Sequence, residues 1–133
     1  MHDRHKIVFF VRQNNDCPVQ NYLFDDNDLT RFEIIINAMQ YLALVGSAIF
    51  DTKMATQFND HKPLCELRKD RHRIFFAEDK ILNHYIMLAA FIKKSQKTPP
   101  EELAQAERYW QEYLKYKRVN EFEIPLDIDL ANL

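Results

Sequence analysis

At 133 residues the chain has room for one domain, and a chain of that length buries roughly two thirds of its unfolded surface, so a second independent core is not expected. Hydrophobic residues make up 47% and aromatic residues 13%, enough to fill that core, while the single glycine argues against a fold of many tight turns. The formal charge of −2 excludes general adhesion to nucleic acid but hides a basic middle: Lys and Arg against Asp and Glu number four to seven over residues 1–52, ten to five over 53–97 and four to eight over 98–133.

The start, Met1-His-Asp-Arg-His-Lys6, runs into a strand-like segment without the apolar region of an export signal, and nowhere do about twenty apolar residues follow one another. The expectation is a cytoplasmic protein with no membrane partner. Lys6-Ile-Val-Phe-Phe-Val-Arg12 is β-branched and aromatic and reads as a buried strand, closed by the turn cluster Asn14-Asn15-Asp16. A short helix follows from Cys17, with Pro18 in its first turn and Val19, Tyr22 and Leu23 on one face. The clearest helix runs from Asp28 to Leu44, carrying Leu29, Phe32, Ile36, Met39 and Ala43 at three- and four-residue steps, with Gly46 as its stop. Residues 47–63 show no period and read as a loop with at most a short helical turn.

From Leu64 the pattern turns to strands. Leu64-Cys-Glu-Leu-Arg68 and His72-Arg-Ile-Phe-Phe-Ala77 flank a polar turn. After Glu78-Asp79-Lys80 a third strand runs from Ile81 to Ile92, apolar on both faces in its middle and therefore central or covered on both sides. Thr98-Pro-Pro-Glu101 reads as a helix start, with the threonine as cap, Pro99 at the first helical position and Glu101 closing a capping box. Leu103, Ala106, Trp110, Tyr113 and Leu114 give the stripe of a helix from Pro99 to Lys117. In the tail, Phe122, Ile124, Leu126, Ile128 and Leu130 alternate with Glu121, Glu123, Asp127 and Asp129, the period of a half-buried extended segment that Pro125 confines to an edge. It reads either as an edge strand or packing arm, or as an acidic mask over a basic sheet. The order strand, helix, helix, three strands, helix predicts an α+β domain over residues 1–118, its helices on one side of a small, largely antiparallel sheet, followed by an acidic-apolar tail over 119–133.

A hairpin loop of two or four residues places Arg68 opposite Arg73. Facing like charges cost stability. A bound polyanion removes that cost, because guanidinium forks match phosphate oxygens; pairing with Glu66 and Glu78, or exposure to water, would relieve it as well. Arg73 is expected to be exposed, so that its loss leaves folding intact. Lys93-Lys94-Ser-Gln-Lys97 reads either as an anion-binding loop beside a helix N-terminus or as solvated charge. Cys17 and Cys65 lack Cys-x-x-Cys spacing and read as free thiols. His2, His5, His61, His72 and His84 form no i, i+4 helical pair, and one glycine cannot build a phosphate-cradling loop, so neither a metal nor a cofactor is expected.

Cys17-Pro-Val19, Cys65-Glu-Leu-Arg68, Arg73-Ile-Phe-Phe76 and Phe91-Ile-Lys-Lys-Ser-Gln-Lys-Thr-Pro99, followed by Glu102 and Ala106, together resemble the phage-derived HigB-like branch of the RelE/ParE toxin superfamily, over residues 6–117. The segment from Phe91 to Pro99 with its following helix is the specific part. The resemblance implies a RelE-like fold with an N-terminal helical pair and a C-terminal helix. It also implies a type II toxin that cuts messenger RNA in the ribosomal A site without a metal and is neutralised by a helix-turn-helix antitoxin. In such chemistry the ribose 2′-hydroxyl attacks the adjacent phosphorus, and the protein must accept a proton, stabilise a phosphorane and donate to the leaving oxygen. Arg68, Arg73, Lys94 and Lys97 match the family's basic, catalytic positions, with Lys69, Arg71, His72 and Lys93 beside them as RNA contacts. Arginines suit charge stabilisation, and a lysine among other cations can act as a base. Relatives often carry Leu-Leu-His-Gly-Phe where this chain has Met87-Leu-Ala-Ala-Phe91. Ala89 then stands at the histidine position, and the acid or base falls to His72, His84, Tyr85 or a lysine. Two other classes remain open: a non-catalytic toxin that binds a protein such as DNA gyrase, as in the ParE branch, and an inactive module that only binds antitoxin.

Overall fold

The computed structural model describes residues 5–25 and 28–121. Strand β1 (Lys6–Phe10) is followed by helices α1 (Pro18–Leu23) and α2 (Leu29–Val45), then by strands β2 (Ala55–Gln57), β3 (Cys65–Lys69), β4 (His72–Asp79) and β5 (His84–Ile92). Helix α3 (Pro100–Tyr116) and strand β6 (Val119–Glu121) complete the order. The sheet runs β2-β3-β4-β5-β1-β6. It is mixed: β1 lies parallel to β5, while the other neighbours are antiparallel. The α+β class holds: the two N-terminal helices carry the chain from β1 across to the edge strand β2, and β3 and β4 lead back to β5 beside β1.

Helices cover both faces of the sheet, not one. Alternation along β1 sends Ile7 and Phe9 to the face packed by α1 and α2, with Val19, Leu23, Ile35, Met39 and Leu42, and sends Val8 and Phe10 to the face packed by α3, with Ala106, Tyr109, Trp110 and Tyr113. A strand alternating between two apolar faces buries every residue, which is why β4 and β5 read as near-continuous hydrophobic runs. Each large apolar side chain so buried stabilises the fold by roughly 1.5–3 kcal/mol.

Several local expectations shift. The α2 stripe keeps Ile36 and Met39 buried with Phe32 and Ala43 packed beside them and widens to Ile35, Ala38 and Leu42, while Leu29 is 75% exposed. Asp28 caps α2 by accepting from the Arg31 N–H at 3.0 Å, and Gly46 ends it at φ 59°, where a Cβ would meet the His5 ring. The helix continues as a 3₁₀ segment, Gly46–Asp51, so Leu29–Asp51 is a helical run of mean hydropathy 1.5, long and apolar enough to cross a bilayer by length and composition. Arg31 and Glu33 break its apolar run in the sequence, and its inner face, including Ile49, is buried against the sheet. Residues 47–63, expected to be irregular, also supply β2, an edge strand whose partner is β3. The third strand begins at His84, not Ile81, and Ile81 and Leu82 are exposed in the turn before it. In α3, Tyr109 joins the buried stripe and Leu114 is exposed. Val119–Glu121 forms an edge strand on β1, with Glu121 paired to Lys6. The remainder of the expected extended tail, Phe122 onward, lies outside the described residues.

Candidate anion site at the hairpin end of the sheet

The β3–β4 hairpin closes through Asp70 and Arg71, with Asp70 at φ 52°, the left-handed conformation a two-residue hairpin turn requires. That turn places Arg68 opposite Arg73 and Lys69 opposite His72. Strand β5 adds Phe91 beside Arg73 and Ile92 beside His72. Two rows therefore cross the sheet end: Arg68, Arg73 and Phe91 on the α3 face, Lys69, His72 and Ile92 on the α1/α2 face. A β-bulge sets this parity. Phe75 pairs with Ala89 but Phe76 with Met87, so Leu88 and Ala89 both join the α3 face and every later side chain of β5 is reversed.

The two arginines share one counterion, Glu66, which is fully buried. Its Oε1 accepts from Arg68 Nε at 2.9 Å and lies 3.8 Å from Arg73 Nε. Glu78, the other acid weighed as a partner, pairs with Tyr85 near the opposite end of β4 and takes no part. Arg73 is not the exposed residue expected: its side chain is 13% exposed against 37% for Arg68. Its Nη1 donates to the carbonyls of Asp70 at 2.8 Å and His72 at 2.9 Å, fastening the turn. Burial lowers the Arg73 guanidinium from its ordinary value, Glu66 opposes the shift and Arg68 adds to it, and the group stays charged.

The basic loop after β5 is fastened at both ends. Lys93 N–H donates to the Arg71 carbonyl at 2.8 Å, and the Thr98 hydroxyl donates to Glu66 Oε2 at 3.1 Å. Thr98 thus does not cap α3. Pro99 occupies the N-cap position with no side-chain cap, because the threonine hydroxyl satisfies a buried carboxylate instead, a charge-assisted bond stronger than a cap. Glu101 and Glu102 in the first turn already complement the helix dipole, so that N-terminus is not an anion site. Between hairpin and loop lies an open cleft of about 450 Å³ lined by Asp70, Arg71, Arg73, Lys93, Lys94, Ser95 and Gln96. Four cations thus face one acid. Arg68 adjoins this cleft through Arg73, and Lys97 stands outside its lining, at the loop end next to Thr98.

The remaining candidates separate. His72 Nδ1 is 2.7 Å from the Tyr22 hydroxyl on the α1/α2 face, and burial together with the Arg31 guanidinium holds the imidazole below its ordinary value. The sheet lies between it and Arg73. His84 and Tyr85 are not brought to the site: seven residues along β5 separate His84 from Phe91, roughly 23 Å. Tyr85 is buried, and burial and Glu78 push its hydroxyl up to about 12. Ala89 is buried under α3 against Phe75 and Phe91. Cys17 and Cys65 are both buried and unpaired to each other, and burial pushes the Cys65 thiol up to about 12. Among the described residues no three His, Cys, Asp or Glu side chains gather as metal ligands would.

The sequence singled out the cations and named Glu66 as one possible partner of the two arginines, as found; in Glu66-Leu-Arg68 the alternation of a strand puts acid and arginine on one face. It did not announce the bond from Thr98 to the same carboxylate.

Fold and site together define a small α+β domain with a basic cleft at the hairpin end of a mixed sheet. The sequence model of the family described as Phage derived protein Gp49-like (DUF891) matches residues 24–111, well over half of the chain, which therefore belongs to that family. The matched span contains the hairpin, the basic loop and most of α3. No curated protein matches the chain.

Proposed function

We propose that the protein is the toxin of a type II toxin–antitoxin system, of the HigB-like branch of the RelE/ParE superfamily, and that it cuts messenger RNA on the ribosome in the cytoplasm. The observation that carries this reading is the cleft itself: Arg71, Arg73, Lys93 and Lys94 line it, Lys93 bonded to the hairpin turn, with Arg68 beside Arg73 on the sheet. Membership of the phage-derived Gp49-like family supports the toxin part. In the proposed reaction the 2′-hydroxyl forms a bond to phosphorus while the bond to the 5′-oxygen breaks, leaving a 2′,3′-cyclic phosphate and a 5′-hydroxyl. The guanidinium groups stabilise the added negative charge of the phosphorane. With His84 and Tyr85 distant and His72 across the sheet, the proton transfers fall to the lysines of the cleft, Lys93 and Lys94. A helix-turn-helix antitoxin is the partner this reading calls for. Induced expression tests it: rapid translational arrest with messages cut on ribosomes is the expected result. A DNA-damage response would point to a gyrase-type target, and unimpaired growth to an inactive antitoxin-binding module.

A further inference from the structure

Burying a carboxylate costs several kcal/mol, and a buried ion pair is often no more stable than an apolar replacement. Glu66 nevertheless sits at zero exposure, facing Phe75 across the hairpin, whose ring is flanked by those of Phe58 and Phe91, on a face otherwise filled by α3. Its contacts all lead to the basic cleft. Oε1 accepts from Arg68 Nε and lies 3.8 Å from the Arg73 Nε, a charge contact without a hydrogen bond, and Oε2 accepts from Thr98, the last residue of the loop whose first residue, Lys93, is bonded to the hairpin turn. Holding an arginine by Nε turns its Nη1 and Nη2 fork outward, the half that engages two phosphate oxygens.

We infer that Glu66 is a positioning residue: it aims the Arg68 fork beside Arg73, whose Nη1 the hairpin turn already holds, and, through Thr98, holds the Lys93–Lys97 loop over the same phosphate. The inference rests on the reading of the cleft as an RNA-cutting site. Glu66 touches no substrate and contributes nothing to anion affinity; a negative charge beside the cleft weakens RNA binding. That opposition makes its role measurable. Removing the charge raises the local potential, so binding tightens, while the loosened Arg68 fork and loop lose the alignment on which turnover depends.

The test compares Glu66→Gln, Thr98→Val and Thr98→Ser with the unsubstituted protein, measuring RNA affinity and single-turnover cleavage on programmed ribosomes. Glu66→Gln is expected to bind RNA about two- to fivefold more tightly at low salt and to cut roughly tenfold or more slowly. Thr98→Val, which leaves the charge unchanged, is expected to slow cleavage with affinity held, and Thr98→Ser, which keeps the hydroxyl, to restore it. Faster or equal cleavage by Glu66→Gln overturns the inference, since Glu66 would then act only as a neutralising charge. A parallel loss of affinity, cleavage and melting temperature in both Glu66→Gln and Thr98→Val also overturns it, in favour of a purely structural role. Should the unsubstituted protein cut no RNA, the functional reading fails by itself. The Arg68 Nε–H proton resonance then decides the positioning claim: it should be sharp and exchange slowly in the unsubstituted chain and be lost in Glu66→Ala, which removes the accepting oxygen, and an unchanged resonance would sink the claim.

Discussion

Tyr113, near the C-terminal end of α3, donates a 2.6 Å hydrogen bond to Asp79 Oδ2 at the end of β4. Lys117 Nζ reaches the same oxygen at 2.9 Å, and the N–H groups of Ile81 and Leu82 donate to Oδ1 at 3.1 and 3.3 Å. One buried carboxylate thereby pins the last helix to the sheet at the end remote from the basic cleft. Burial by itself would raise the Asp79 carboxyl; the Tyr113 hydroxyl, then Lys117 and the Leu82 N–H, outweigh it and hold it down at about 2. A carboxyl lower in the folded than in the unfolded state contributes stability that is present above its unfolded value and lost as pH falls through the folded one. Stability is therefore expected to fall by about 2 kcal/mol between roughly pH 4 and pH 2 on account of this residue. Acid titration of the unfolding free energy checks this. Asp79→Asn should be less stable at neutral pH and lack that limb, and an unchanged limb would show that other carboxyls cause it.

Arg68 and Arg73 should part company on substitution. Arg73 fastens the hairpin turn and lies largely buried, so Arg73→Ala is expected to cost about 1–3 kcal/mol in stability as well as activity. Arg68 is more exposed, and its loss should reduce activity with a smaller effect on the melting temperature. Chemical denaturation of the two variants side by side decides this, and equal destabilisation would contradict the different burial of the pair.

Lys94 is exposed on the loop and lines the cleft without a structural bond of its own among those described. Lys94→Ala is expected to fold as the parent does, to bind RNA more weakly, and to lower the slope of log affinity against log salt by about one. Titrations at several salt concentrations supply the slope. RNA binding that ignores salt in the parent protein would refute an electrostatic site.

His84 stands at the far end of β5, roughly 23 Å from the arginine row. His84→Ala is expected to leave cleavage within about twofold of the parent, since no contact links it to the cleft. A hundredfold loss in a folded His84→Ala protein would place the reacting phosphate elsewhere on the sheet.

The features legible in the sequence are those set by near neighbours in the chain. The apolar runs of β4 and β5, the start of α2 at Asp28, the Gly46 stop and the Arg68–Arg73 register all depend on a few consecutive residues, the last because a two-residue turn determines which positions face. The Phe91 to Pro99 segment and the basic charge of residues 53–97 likewise marked the cleft before its geometry was known.

What the tertiary structure alone decided involves partners distant in the chain. Thr98 has the sequence of a helix cap, yet its hydroxyl turns to Glu66, 32 residues earlier, because a buried carboxylate binds a donor more strongly than the open end of a helix does. The bulge at Leu88 reverses the faces of Ala89 and Phe91, and so places Phe91 in the arginine row, through a pairing that no periodicity along β5 announces. His72 and Arg73 are adjacent in sequence and opposed across the sheet, and His84, equally plausible by residue type, is carried to the other end by the direction of its strand. Residue type and spacing specified which charges this protein would bring to an anion; strand pairing decided which of them share a face, since a side chain's side and end of a sheet are properties of its register with residues far away.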